Sequence, residues 1–121
     1  MIGVGIDTVE VERFRGMLGR REHMVERLFH PDEVADMAGR SDPVPGFAAR
    51  FAAKEATMKA LGVGLGAFGF HEAYVRREES GRPVLVVVGA AARLGEEAGV
   101  TKWHITLTHT AVSASAVVIA E

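Results

Sequence analysis

The N-terminus shows a strict alternation of apolar residues with glycine. Ile2, Val4 and Ile6 occupy every second position, and this period of two predicts a strand over residues 2–7. The opposite side of that strand carries no side chain larger than hydrogen until Asp7. Another element of the fold can therefore approach this side closely, next to a carboxylate.

The rest of the pattern predicts alternating groups of helices and strands. In order, we expect a helix with Thr8 as N-cap, a helix from Pro31 to a stop at Gly39, a loop over 40–46, and an alanine-rich helix over Phe47–Leu61 with Gly62 as its left-handed cap. Strands over 70–77 and 83–88, a helix over 90–98, and strands over 103–108 and 113–120 follow. This order predicts a single α+β domain over 1–121, with a mainly antiparallel sheet packed against helices.

Length and composition describe an ordinary globular protein. The chain has 121 residues, of which 48% are hydrophobic and 25% charged. Cysteine is absent, which excludes disulfides, thiolate metal sites and cysteine nucleophiles. No apolar run reaches the roughly 20 residues of a membrane span, and Asp7 interrupts the N-terminus before a signal-type segment can develop. We expect a soluble, cytoplasmic protein with no membrane partner.

Charge is distributed unevenly along the chain. The net charge is −2, and with one Trp and one Tyr the chain has no stacking platform, so a nucleic-acid partner is not expected. Residues 13–27, however, hold five arginines against two glutamates, a local charge of +3. Such a segment suits an acidic partner, although a solvated helix face explains it equally well.

Residues 64–69 formally match the dinucleotide-binding pattern G-x-G-x-x-G. That pattern requires a strand before it and a helix after it, whereas here a helix precedes and a strand follows. We interpret the segment as a flexible helix-to-strand connection. No P-loop, H-E-x-x-H, EF-hand or G-x-S-x-G motif occurs elsewhere.

Asp7, Glu55 and Lys59 are the residues with the most interesting chemistry. Glu55 and Lys59 stand four apart on the alanine-rich helix, and spacing alone favours an ordinary ion pair between them. The alternative is a divalent cation shared by Asp7 and Glu55. Magnesium often takes one or two protein carboxylates, keeps several waters and completes its shell with substrate phosphates, which Lys59 would then face. Spacing does not bring Asp7 and Glu55 together; only the fold can.

One histidine lies on the predicted strand over 103–108 and another follows directly at its end. His109 continues its apolar face, and taken alone it is best interpreted as a structural histidine beside the core. His104 falls on the opposite face. This arrangement argues against a metal site built from both histidines.

Four ordered motifs together resemble those of the holo-acyl-carrier-protein synthase family, the small 4'-phosphopantetheinyl transferases. The N-terminal one is Gly-Val-Gly-Ile-Asp at 3–7 with Glu10 and Arg13, and the central one is Arg-Phe-Ala-Ala-Lys-Glu-Ala at 50–56 with Lys-Ala-Leu-Gly at 59–62. Gly-Arg-Pro at 81–83 and Thr-Leu-Thr-His-Thr at 106–110 complete the set. The resemblance covers nearly the whole chain. It favours a metal ion shared by Asp7 and Glu55 over the ion pair between Glu55 and Lys59 that spacing alone favours.

The resemblance implies transfer of 4'-phosphopantetheine from coenzyme A to a serine of apo acyl carrier protein, with release of adenosine 3',5'-bisphosphate. It implies that Asp7 and Glu55 hold Mg²⁺ and that Lys59 neutralises charge on the pyrophosphate. Phosphoryl transfer depends chiefly on positioning and charge neutralisation, which fits this residue set. The general base stays open between a metal-bound water and one of the carboxylates.

The resemblance also implies a homotrimer with active sites between subunits. The residues that it assigns to coenzyme binding are Arg50, Lys59, Gly62, Thr108 and His109, and those that it assigns to docking of the acidic carrier are Arg13, Met17 and Arg20. Two positions depart from the family pattern. His30 before Pro31 stands where relatives often have Thr or Ser, and His23 stands where a further arginine is common, which affects carrier affinity because an imidazole is only partly charged near neutral pH.

Two other functions fit parts of the pattern. A non-enzymatic module could bind an acidic protein through residues 13–27, with Glu55 and Lys59 as a plain ion pair. A metal-dependent hydrolase of nucleoside diphosphate compounds would use the same carboxylates with water as the acceptor. Metal dependence separates the first from the transferase, and consumption of coenzyme A without carrier separates the second.

Overall fold

The fold contains five strands and five helices. A computed structural model describes all 121 residues, Met1–Glu121. The elements, in chain order, are β1 (Gly3–Glu10), α1 (Val11–Gly19), α2 (Met24–Leu28), α3 (Pro31–Met37), α4 (Val44–Leu61), β2 (Ala73–Arg77), β3 (Pro83–Val87), α5 (Gly89–Ala98), β4 (Trp103–His109) and β5 (Ser113–Ala120). None of the helices is both long enough and apolar enough to cross a bilayer.

The strands form two antiparallel sheets. The larger has the order β1-β5-β4, so the last strand lies between the first and the fourth. Asp7 stands opposite Ala116 on β5, and Leu107 of β4 stands opposite the same residue from the other side. The smaller sheet is the hairpin of β2 and β3. The predicted α+β class and the antiparallel pairing are confirmed.

Helix α4 lies directly on the inner face of the larger sheet. A Cβ atom added at Gly3 or Gly5 would collide with the backbone of α4, at the carbonyl oxygens of Ala60 and Ala56 respectively. The glycines of β1 therefore allow helix and strand to touch backbone to backbone, as the bare side of the strand predicts. Small residues continue this contact across β5, where Ala116 is buried.

A second part of the core is aromatic and joins α1, α2 and α4. Phe14 of α1 packs edge-on against Phe29 at a centroid distance of 6.2 Å and against Phe51 of α4 at 5.2 Å. Phe47 packs against Phe29 at a centroid distance of 4.6 Å, with the two rings tilted by 38°. These contacts seat α1 on the first half of α4.

A fully buried ion pair holds α3, α4 and β2 together. Lys54 Nζ donates to Glu33 Oε1 at 2.7 Å, and both side chains have no exposed surface. The same ammonium donates to the carbonyl oxygens of Phe70 and Ala73 at 2.7 and 2.8 Å. Glu33 Oε2 in turn accepts the N–H of Val75. All three ammonium protons are satisfied, as burial of a charge requires.

Several predicted boundaries are wrong. Thr8 does not cap a helix: β1 runs on to Glu10, because Val9 and Glu10 pair with β5, and α1 begins at Val11. Helix α4 begins at Val44, inside the predicted loop, since proline in a first helical turn gives up no hydrogen bond. The short helix α2 was not predicted. The predicted N-terminus of α3 at Pro31 is confirmed.

Other predicted features of the chain are confirmed. Gly62 caps α4 with φ 70°, and Gly99 caps α5 with φ 88°. The glycine-rich segment 64–69 lies in the connection between α4 and β2, as its position after a helix indicates. Strand β2 begins later than expected, at Ala73.

Candidate active site beside the first strand

Asp7 is held on the helix-facing side of β1, two residues beyond Gly5. Its side chain is 19% exposed and its Oδ1 atom accepts a hydrogen bond from Lys59 Nζ at 3.2 Å. The same ammonium donates to the carbonyl oxygen of Ile6 at 2.9 Å. Lys59 thus reaches from α4 to the middle of β1 and remains 55% exposed. The carboxylate and the cation face a surface that a ligand can reach.

Glu55 projects from α4 toward the same place. Partial burial raises the pKa of Glu55, the negative charge of Asp7 raises it further, and Lys59 opposes both effects. The close contact of Gly5 on β1 with Ala56 on α4 brings Asp7 and Glu55, which are distant in sequence, to one region of the fold. Lys59 forms its ion pair with Asp7 and not with Glu55, so the simple helical pair expected from spacing is not present.

The pair of carboxylates fits a hard divalent cation. Their oxygens are the donors that Mg²⁺ prefers, and two protein ligands leave room for water and phosphate oxygens. No group of three or more His, Asp or Glu side chains is arranged to hold a metal. A site here would therefore depend on its substrate for further ligands. The mutual repulsion at Glu55 is the electrostatic condition that a bound dication relieves.

A cleft of about 360 Å³ opens next to Asp7, between β1 and α1. It combines apolar and cationic walls, and its lining residues are Thr8, Val9, Glu10, Arg13, Phe14, Met17, Arg20 and Phe51. All three residues predicted to dock a partner protein thus line one depression beside the carboxylates. Arg20 belongs to this group even though α1 ends at Gly19, because its backbone is still helical.

The cleft also contains residues to which no role was assigned from the sequence. Thr8 and Glu10 line it because β1 continues past Asp7, and Phe51 lines it from α4. The alternation of the N-terminus gave no signal for the first two, because its apolar residues stand at even positions through Ile6 and at an odd position at Val9. The prediction of a helix N-cap at Thr8 followed from that break.

Arg50 lies inside the molecule, away from Asp7 and Glu55. Only 1% of its surface is exposed. Its Nη1 atom donates to the carbonyl oxygen of Gly46, and its Nη2 atom is 3.9 Å from Asp36 Oδ2. The Nε and Nη2 atoms have no hydrogen-bond partner. Burial, followed by the charge of Arg77, lowers the pKa of this guanidinium.

His109, Thr108 and Gly62 lie apart from the carboxylates. His109 ends β4 and is exposed, so the interpretation of it as a core histidine is wrong: β4 is an edge strand of the larger sheet. Strand β5 separates β4 from β1, which places His109 about 10 Å or more from Asp7 within one chain. Thr108 is exposed on the opposite face, and Gly62 ends α4.

Comparison with known proteins identifies the family. The sequence profile of the 4'-phosphopantetheinyl transferase superfamily matches residues 3–118. The chain belongs to this superfamily. The resemblance seen in the four sequence motifs is thereby confirmed, and the match extends over both sheets and all five helices.

Relatives within the superfamily are similar over their whole length. The chain is 47% identical to a holo-[acyl-carrier-protein] synthase of Streptomyces avermitilis, over all of this chain and 98% of the relative. It superposes on the crystal structure of the synthase from Neisseria meningitidis with a TM-score of 0.89 at 28% identity, covering 100% and 98% of the two chains. The synthase of Bacillus anthracis, solved in complex with CoA (3',5'-ADP), gives 0.82 at 30% identity, covering 99% and 96%.

Proposed function

We propose that this protein transfers the 4'-phosphopantetheine group of coenzyme A to a serine hydroxyl of an apo acyl carrier protein and releases adenosine 3',5'-bisphosphate. The observation that carries the proposal is the convergence of Asp7 and Glu55, with Lys59, beside a cleft lined by arginines. The names of the relatives and the coenzyme A complex of the Bacillus anthracis protein support the same reaction.

The reaction needs positioning and charge neutralisation more than it needs a nucleophile from the protein. The serine oxygen forms a bond to the phosphorus that bears pantetheine, and the pyrophosphate P–O bond to the nucleotide breaks. Lys59 is placed to neutralise phosphate charge, because its ammonium is more than half exposed and already stands beside the Asp7 carboxylate. A phosphate oxygen can accept the hydrogen bond that Lys59 now donates to Asp7.

Asp7 and Glu55 would hold Mg²⁺ in this enzyme. When bound, the ion supplies positive charge to the pyrophosphate. The residues contribute by presenting two oxygen donors from different elements, one on β1 and one on α4. The backbone contact at Gly5 and Ala56 fixes the distance between these elements and therefore the spacing of the two acids.

The acidic carrier is expected to dock on α1. Arg13 and Arg20 are exposed, and neither forms an ion pair within the chain, so both charges remain available to a partner. Met17 lies between them and is partly buried in the cleft wall. Cations around an apolar contact suit a negatively charged protein surface.

A homotrimer is part of the same proposal. The outer face of the larger sheet exposes Ile2, Val4 and Ile6 by 48, 56 and 60%, beside Val117 and Ile119 of β5. A contiguous apolar sheet face of this kind supports association with further copies of the chain. Association also offers a way to complete the active site, since His109 and Thr108 are exposed on β4 and lie apart from the carboxylates of their own chain.

The remaining expected coenzyme contacts differ in how well they fit. Gly62 stands at the C-terminal end of α4, where Lys59 also lies. Arg50 has two donors without partners, which suits an anion, but its guanidinium is enclosed between α3 and α4. The contact of Arg50 with coenzyme phosphate stays a prediction from the sequence, as does the cytoplasmic location.

A measurement of the mass of the carrier tests the proposed function. We expect apo acyl carrier protein, incubated with the protein, coenzyme A and Mg²⁺, to gain one phosphopantetheinyl group, and we expect EDTA to prevent the gain. Asp7→Asn and Glu55→Gln should abolish it with the fold intact. Glu97→Gln, an exposed carboxylate on α5, is the matched control and should retain full activity.

Other outcomes of this experiment would identify a different function. Consumption of coenzyme A in the absence of carrier would indicate a hydrolase. Binding of unmodified carrier that survives EDTA and both substitutions would indicate a non-enzymatic module.

A further inference from the structure

Arg15 differs from the other arginines of residues 13–27 in having its charge fully engaged. Its Nη1 and Nη2 atoms donate to Asp42 Oδ1 and Oδ2 at 3.0 and 2.8 Å, a two-pronged contact across 27 positions of sequence. Its Nε atom donates to Glu12 Oε2 at 3.1 Å. With two carboxylates on one guanidinium, Arg15 has little attraction left for an acidic partner.

Asp42 passes this contact on to helix α4. Besides Arg15, its Oδ1 atom accepts the backbone N–H of Val44, the first residue of α4, at 3.2 Å. The hydrogen bond from Arg15, followed by that from Val44, lowers the pKa of Asp42, so the carboxylate stays charged well below neutral pH. One side chain thus joins the middle of α1 to the start of the helix that carries Glu55.

The second contact point matters because the buried side chains of α1, Val11 and Phe14, meet α4 within an apolar cluster. Phe14 and Phe51 meet at a centroid distance of 5.2 Å. An apolar contact of this kind fixes how far apart two helices are but resists rotation of α1 weakly. Paired hydrogen bonds between a guanidinium and a carboxylate are directional, and they hold an orientation as well as a distance.

We propose that Arg15 and Asp42 form a clamp that sets the orientation of α1. The clamp thereby also sets the direction in which Arg13, Met17 and Arg20 face the acidic partner. Neither clamp residue contacts the partner or the reacting atoms; both act through the helix. This inference rests on the proposed function for its kinetic test, but the clamp can also be observed without any partner.

Net charge alone predicts the opposite effect at Asp42, which makes the proposal testable. If only charge mattered, removing an acid beside a basic segment would tighten binding of an acidic protein. If the clamp matters, the same change loosens binding, because α1 loses its orientation. The carboxamide of Asp42→Asn keeps an oxygen for the Val44 N–H but replaces the Oδ2 acceptor by an NH2 donor. This variant therefore removes the negative charge and one of the two Arg15 hydrogen bonds, and it spares the start of α4.

The kinetic experiment compares KM for apo carrier in Arg15→Gln, Asp42→Asn and the double variant. We expect each to raise KM by about fivefold, with kcat and KM for coenzyme A unchanged. The double variant has the wild-type net charge, yet we expect it to match the singles. Glu22→Gln, an exposed acid of the same segment with no ion pair, is the control and should lower KM. A lower KM for Asp42→Asn, or a double variant equal to wild type, would overturn the clamp.

Hydrogen exchange of the free protein separates failure of the clamp from failure of the proposed function. We expect faster exchange of the α1 amides in Arg15→Gln and Asp42→Asn, and unchanged exchange in Glu22→Gln. A wild-type protein that modifies no carrier but shows this pattern would reject the function and keep the clamp. Unchanged α1 exchange in both clamp variants would reject the clamp whatever the activity.

Discussion

Replacing Lys54 by methionine should be among the most damaging single changes in this protein. The ammonium is fully buried and donates to Glu33 and to the carbonyl oxygens of Phe70 and Ala73. Burial lowers the pKa of Lys54, and the charge of Glu33 opposes that effect. Methionine fills a similar volume but supplies no donor. Glu33 is then a buried carboxylate without its counter-ion, and two carbonyls lose their partners.

The expected cost follows from these contacts. Removing one member of a buried ion pair costs about 3–5 kcal/mol, a large share of the roughly 5–15 kcal/mol by which proteins are stable. A chain of this length unfolds with an entropy of about 0.25 kcal/mol/K, so the expected fall in Tm is about 12–20 °C. Replacing both partners, as in Lys54→Met with Glu33→Leu, removes the orphaned charge and should recover part of the loss. The recovery is incomplete because the carbonyls of Phe70 and Ala73 and the N–H group of Val75 stay without these partners.

Urea unfolding followed by circular dichroism measures these differences. Lys102→Met is the matched control: Lys102 is exposed, and we expect its replacement to change the free energy of unfolding by less than about 0.5 kcal/mol. The reasoning would be refuted by a cost below about 1 kcal/mol for Lys54→Met, or by a double variant whose loss is the sum of the two single losses.

Three further predictions concern the strand–helix contact, the carboxylate pair and the docking helix. Gly5→Ala should lower the free energy of unfolding by about 3 kcal/mol or more, because the new Cβ meets the Ala56 carbonyl. Gly16→Ala, with open space at its Cβ position, should stabilise α1 by up to about 1 kcal/mol. Equal effects of the two variants in urea unfolding would contradict this. Partial burial, followed by the neighbouring aspartate, raises the pKa of Glu55 above 4.5, so the metal-free protein should lose stability as the pH rises through the folded-state pKa. Thermal unfolding of Glu55→Gln between about pH 4 and pH 8 should lack that loss. A dependence of Tm on pH that is the same in the variant and the wild type would reject the pairing of the acids. Arg20→Glu should raise KM for the carrier far more than KM for coenzyme A, by a ratio that shrinks with salt; equal effects in steady-state kinetics would count against docking at α1.

Local patterns in the sequence predict the structure correctly wherever neighbouring residues determine it. The glycine alternation predicts both a strand and a close neighbour on its bare side, and α4 is that neighbour. The left-handed glycine at position 62 predicts the end of α4 correctly. In each case a backbone conformation or a steric gap is written in a few adjacent residues.

The rest depends on contacts between distant segments. Thr8 favours a helix cap locally, but pairing with Ser115 of β5 keeps it in the strand. Lys59 is spaced to pair with Glu55, yet it pairs with Asp7, which only the tertiary fold brings within reach. The burial of Arg50 likewise follows from how α3 packs on α4. Residue spacing does not predict these contacts, because each is formed with an element that is distant in the chain.

The central claim is that Asp7 and Glu55 hold one dication between them. Crystals of the protein soaked with Mn²⁺, a divalent ion that accepts the same oxygen ligands, can be measured for anomalous scattering. We predict a single strong peak within coordination distance of carboxylate oxygens from both residues, and no peak in the same position in Asp7→Asn crystals. A peak bound by only one of the two residues, or a well-occupied ion elsewhere with none at this site, would contradict the account.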